Sequence, residues 1–164
     1  MKVLIADDQH LVRSGLKMIL EAHAFHVVGE AADGASAVQQ ALALRPDVCL
    51  FDIRMPVMDG LEATRRVAAE GLAVIVITTF DLDEYVFAAL KAGARGFLLK
   101  DAGPELLVQG VRAAASGDAL IAPKTTARLL ERFAALDPKK SQPFEPLTER
   151  EEEVLRTLAR GQTN

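Results

Sequence analysis

Val74-Ile75-Val76-Ile77-Thr78-Thr79 is an unbroken run of six β-branched residues near the middle of the chain. Four β-branched apolar residues in a row leave no polar face, so a strand built from them is covered on both sides, as in a parallel sheet with helices packed on each face. Further short apolar runs recur on either side of it, at Val3 to Ala6, His26 to Glu30, Val48 to Phe51 and Gly96 to Leu99. The segments between and after them, Leu11 to Ala24, Ala35 to Leu44, Leu61 to Glu70, Glu84 to Ala92 and Pro104 to Ser116, carry apolar residues at three- and four-residue spacing, the period of a helix. Strand and helix alternate to give five βα units, and the expected fold class is α/β, a doubly wound five-stranded parallel sheet. Asp33-Gly34, Asp59-Gly60 and Gly103-Pro104 mark the starts of the second, third and fifth helices.

The composition agrees. Hydrophobic residues make up 50% of the 164 and aromatics only 5%, so the core is aliphatic and suits a helix-covered sheet. A formal net charge of −4 leaves no basic field able to hold nucleic acid by neutralising phosphates. The single cysteine, Cys49, lies inside the apolar run Val48 to Phe51 and reads as a small buried hydrophobe. The N-terminal run Met1 to Ala6 meets acidic residues too soon for a signal peptide, and no apolar stretch reaches the roughly 20 residues of a membrane span, so a cytoplasmic location is expected.

Beyond Ser116-Gly117-Asp118 the pattern changes. Ala119 to Pro123 leads into Lys124 to Leu136, whose Leu129, Leu130, Phe133 and Leu136 form a helical stripe. Asp137 to Pro146 contains three prolines among polar residues and reads as an extended linker. Thr148 and Glu151 then stand as a capping box at the head of another helix. The expected organisation is a main domain at 1–118, a helix and linker at 119–146, and a fragment of a second domain at 147–164.

In open parallel sheets ligands bind outside the carboxyl ends of the strands. Asp7 and Asp8 follow the first strand, Asp52 the third, Thr78 and Thr79 the fourth, and Lys100 the fifth. Three carboxylates drawn together would repel and raise one another's pKa, so such a cluster is expected to hold a divalent cation, and hard oxygen donors point to Mg2+. A partly hydrated magnesium ion leaves positions for phosphoryl oxygens, and Lys100 adds a positive charge. This is an apparatus for phosphoryl transfer onto a carboxylate nucleophile such as Asp52. The spacing does not choose between the hydroxyls of Thr78 and Thr79.

These motifs together, Val3-Leu4-Ile5-Ala6-Asp7-Asp8, Asp52-Ile53-Arg54-Met55-Pro56-Val57-Met58-Asp59-Gly60, Thr78, and Gly93-Ala94-Arg95-Gly96-Phe97-Leu98-Leu99-Lys100, resemble the response-regulator receiver family from Met1 to about Ser116. The resemblance implies a flavodoxin-like sheet of strand order 2-1-3-4-5. It places Asp52 as phosphoacceptor, with Asp7, Asp8, Asp52 and the backbone carbonyl of Arg54 at the magnesium positions and no role for the Arg54 side chain. Lys100 takes the place of the lysine that contacts the phosphoryl group, and Thr78, rather than Thr79, that of the switch hydroxyl. Pro56 and Gly60 match residues that shape the loop beside the acceptor. Phe97 matches the switch aromatic, without the hydroxyl that many receivers carry there. Thr78-Thr79-Phe80-Asp81, Leu98-Leu99-Lys100-Asp101 and the segment Leu147 to Asn164 resemble the NarL/FixJ subfamily, the last looking like the start of a LuxR-type helix-turn-helix cut off before its recognition helix.

The implied partners are a sensor histidine kinase, a second copy of the chain on phosphorylation, and promoter DNA for the full-length protein but not for this fragment. No membrane partner is implied. The dimer face would be the fourth helix with the fifth strand, or the first helix with the fifth. The chain is expected to be no enzyme beyond its own phosphoryl transfer and autodephosphorylation. A phosphatase acting on outside substrates is disfavoured because Arg54, not a second acid, stands two residues after Asp52 and no cap region is present. A stand-alone receiver acting by protein contact is the alternative to transcription control.

Overall fold

The computed structural model describes residues 1–135; the expected linker and helix-turn-helix fragment lie outside them. Strands β1 (Lys2–Ala6), β2 (His26–Ala31), β3 (Val48–Phe51), β4 (Ala73–Thr78) and β5 (Gly96–Leu99) alternate with helices α1 (His10–Ala22), α2 (Gly34–Leu44), α3 (Gly60–Ala69), α4 (Asp83–Lys91) and α5 (Pro104–Ala115). A short β6 (Leu120–Ile121) and α6 (Pro123–Ala135) follow. All paired strands are parallel, in the order β2-β1-β3-β4-β5-β6. The compact unit that carries the sheet is Met1–Arg128.

The expected order 2-1-3-4-5 is thus present, with one correction: the sheet has six strands, not five. Gly96 and Phe97 pair with Leu120 and Ile121, and the Leu120 amide donates to the Arg95 carbonyl at 3.0 Å. Two residues are too short a run to register as a strand by periodicity. Pro123, which has no amide proton, opens α6 just beyond them.

Helices cover both faces because successive strand side chains point to opposite sides. Val3, Ile5, Val48, Leu50, Ile75, Ile77 and Leu98 pack with Leu16 and Leu20 of α1 and Leu107, Val108 and Val111 of α5. Leu4, Ala6, Cys49, Phe51 and Val74 pack with Ala37 and Ala41 of α2 and Ala63 and Val67 of α3. The small alanines on α2 and α3 let those helices lie close to the sheet.

Two helix starts bear on the site. Asp33 caps α2 by accepting from the Ser36 amide at 2.8 Å, and Asp59 caps α3 by accepting from the Glu62 amide at 2.8 Å. Gly60 is required by contact: a Cβ there would fall 1.7 Å from the Asp52 carbonyl oxygen. The start of α3 is thereby pressed against the residue that follows β3. Among the described residues no helix is long and apolar enough to cross a membrane.

Candidate functional site

The carboxyl ends of β1, β3, β4 and β5 bring together the residues singled out from the sequence. Sheet hydrogen bonding runs into the acids themselves, since the Asp52 amide donates to the Ala6 carbonyl at 2.8 Å and the Asp7 amide to the Ala31 carbonyl at 3.1 Å. Asp7 is fully buried and Asp52 is 4% exposed, while Asp8 faces solvent. One carboxylate oxygen from each of the three lies within 4.8 Å of the others. An open cleft of about 530 Å³, lined by Asp8, Arg54, Pro56 and Tyr85 among others, adjoins the acids.

Lys100 lies at the centre of the charge balance. Its Nζ is 2.9 Å from Asp52 Oδ2 and 2.5 Å from Asp7 Oδ2, and its side chain is only 9% exposed. Burial works against its charge, but the close contacts and negative charge of Asp7 and Asp52 outweigh that and hold its pKa above the ordinary lysine value. For Asp52 the balance falls the other way. Burial raises its pKa, Lys100 pulls it down, Asp7 pushes it up, and the net direction is upward.

The remaining oxygens are aimed by the backbone. Asp52 Oδ1 accepts from the Ile53 amide at 2.7 Å, and Asp7 Oδ1 from the Gln9 amide at 2.9 Å. Asp7 Oδ2 is buried and takes the ion-pair contact of Lys100 but no well-directed hydrogen bond. A buried carboxylate oxygen in that condition retains capacity for a cation. Three oxygen donors of this type fit the hard, oxygen-seeking chemistry of a divalent ion such as magnesium.

Burial distinguishes the two threonines that spacing left open. Thr78 ends β4 fully buried, and its hydroxyl accepts from the Phe80 amide at 3.3 Å, whereas Thr79 is exposed. The Lys100 amide donates to the Thr78 carbonyl at 2.9 Å, so the hydroxyl strand and the lysine strand are locked together at the site. Phe97 is fully buried, one strand residue before Leu98.

Several residues near the site had no signal in the sequence. Arg13 of α1 donates from Nη1 to the Asp7 carbonyl at 2.6 Å and lies 3.7 Å from Glu30, which also pairs with Lys17 at 3.0 Å. The Arg54 side chain turns to the loop after β4, stacking over the Phe80 ring at 3.9 Å and donating to the Tyr85 hydroxyl at 3.3 Å. Val57, on the loop between Asp52 and α3, has φ 68° and is 87% exposed, an unusual backbone for a β-branched residue.

Comparison with known proteins gives a consistent answer. The family described as "Response regulator receiver domain" matches residues 3–112. The transcriptional regulatory protein YxjL of Bacillus subtilis (strain 168) is 41% identical over 99% of this chain and 77% of its own length. The nitrate/nitrite response regulator protein NarP of Escherichia coli (strain K12) is 40% identical over 99% of this chain and 76% of its own. Among solved structures, the receiver domain of the putative response regulator NarL from Mycobacterium tuberculosis superposes with a TM-score of 0.68 at 40% identity, covering 71% of this chain and 96% of that one.

Proposed function

The chain belongs to the response-regulator receiver family, with relatives of the NarL/LuxR type, and from that premise we propose that it is a phosphorylation switch in which Asp52 accepts a phosphoryl group from a sensor histidine kinase. The observation that carries the reading is the pair of buried carboxylates, Asp52 and Asp7, bridged by one partly buried lysine at 2.9 and 2.5 Å with Asp8 at the rim.

Asp7, Asp8 and Asp52, with the Arg54 carbonyl, would hold Mg2+. When bound, the ion supplies positive charge for the oxygens of the transferring group. A carboxylate oxygen of Asp52 attacks the phosphorus of a phosphohistidine, the P–N bond breaks, and the imidazole nitrogen leaves with the electron pair. Lys100, held by Asp7 as well as Asp52, remains in place to take a phosphoryl oxygen once Asp52 carries the acyl phosphate. The Ile53 amide keeps the acceptor carboxylate oriented throughout. Thr78 lies at the end of the adjacent strand with a hydroxyl able to donate to a phosphoryl oxygen, which would favour the phosphorylated conformer by differential contact.

Hydrolysis of the acyl phosphate resets the switch, and no outside substrate is turned over. The output is dimerisation and transcription control through a C-terminal DNA-binding domain, in the cytoplasm. Intact mass after incubation with Mg2+ and a small acyl-phosphate donor tests the first step. A phosphate-sized, base-labile gain present in the wild type and absent from Asp52→Asn is expected. Equal gain in both proteins would remove Asp52 from the acceptor role.

A further inference from the structure

The loop between β4 and α4 is joined to α6 by charge, across a large sequence separation. Arg128 Nη2 lies 2.5 Å from Asp81 Oδ1 and Arg128 Nε lies 3.2 Å from Asp83 Oδ1, with all three side chains at most 32% exposed. The fork of a guanidinium lets one side chain grip two carboxylates at once. The grip is rooted in the sheet: β6 pairs with β5, and the Thr126 hydroxyl donates to the Ile121 and Ala122 carbonyls at 3.3 and 3.2 Å, fixing the first turn of α6.

The gripped residues follow closely on the switch hydroxyl. Asp81 is three residues beyond Thr78, and Asp83 is the first residue of α4. The Phe80 amide, between them and Thr78, donates to the Thr78 hydroxyl. When that hydroxyl turns to a phosphoryl group on Asp52, the amide pointing at it and the loop behind it are drawn along.

We propose that Arg128 restrains the phosphorylation switch, pinning Asp81 and Asp83 to α6 so that uptake of a phosphoryl group at Asp52 works against this ion-pair clamp. The inference rests on Asp52 being the acceptor. Coupling between two sites is reciprocal, so the same clamp makes phosphorylation loosen the start of α6.

Beryllium fluoride with Mg2+, a phosphoryl mimic, is titrated calorimetrically into the whole chain and into Arg128→Gln, with Arg65→Gln as a control that removes an exposed ion-paired arginine on α3. Partly exposed ion pairs of this kind carry enough free energy for Arg128→Gln to bind the mimic about fivefold tighter, with the control unchanged. The gain is expected to vanish when Arg128→Gln is made in an Asp81→Asn, Asp83→Asn background. Equal binding by wild type and a folded Arg128→Gln, or a gain that persists in that background, overturns the restraint while leaving the acceptor reading intact. A wild type that takes up no mimic overturns the acceptor reading and the restraint with it. Should Arg128→Gln fail to fold, Asp83→Asn, which leaves the Asp81 contact, is expected to tighten binding by a smaller factor, and no tightening there overturns the proposal.

Discussion

Replacing Lys100 by methionine keeps an unbranched chain of similar length and removes the one cation that bridges Asp7 and Asp52. At an effective dielectric of about 20, contacts of 2.5 and 2.9 Å are worth about 6 kcal/mol each in gross attraction, most of it offset by the desolvation of two buried carboxylates and a partly buried ammonium. The measurable loss is therefore the cost of leaving buried carboxylates without their partner, about 3 to 5 kcal/mol at neutral pH in a chelator. Its pH dependence has a definite sign. Lys100 has a raised folded pKa, so its contribution is complete below the ordinary lysine value and lost only as pH rises through the folded value. Asp52 also has a raised folded pKa, so its ionisation opposes folding once pH exceeds the ordinary aspartate value, and the methionine variant bears more of that cost. The deficit is thus expected to shrink as pH falls below the ordinary aspartate value, where Asp52 is protonated in the folded and unfolded chain alike. Magnesium held as proposed would replace the missing positive charge, so the variant is expected to gain more from it than the wild type does. Urea unfolding followed by circular dichroism, with chelator and with Mg2+, at neutral and acid pH, reads all three effects. A neutral-pH deficit below about 1 kcal/mol, the value of an exposed pair, would show that Lys100 does not neutralise buried charge, as would an equal deficit at acid pH.

Gly60→Ala places a methyl group against the Asp52 carbonyl and is expected to destabilise by about 3 kcal/mol or more, since backbone on both sides leaves little room to yield; the urea midpoint measures it. Cys49 is fully buried with its thiol pushed up to about 12 by burial, so a thiol reagent at pH 8 is expected to label it only at the rate of global unfolding. Labelling that is independent of denaturant would contradict that burial.

What could be read from the sequence and what could not divide along a physical line. The central strands announced themselves because burial on both faces leaves mainly apolar residues, as in Val74 to Ile77. The acids and Lys100 followed from the strand ends, since in a parallel sheet every strand delivers its next residue to the same edge. Thr78 and Thr79 were indistinguishable by type, and the sheet separated them: the pairing of Thr78 with Leu99 extends β4 one residue further, burying the first hydroxyl and exposing the second. Local signals also placed the caps at Asp33 and Asp59, because a cap and its amide lie three residues apart. Contacts made by tertiary approach left no such trace. β6 is two residues held by the edge of β5, Arg13 reaches a carbonyl on another element, and Arg128 meets Asp81 from 47 residues away. The chemistry of the site is therefore written in short motifs at strand ends. Its regulation, as proposed for Arg128, depends on which distant helix happens to lie beside the loop after Thr78, and a relative could keep all the strand-end residues while losing that contact.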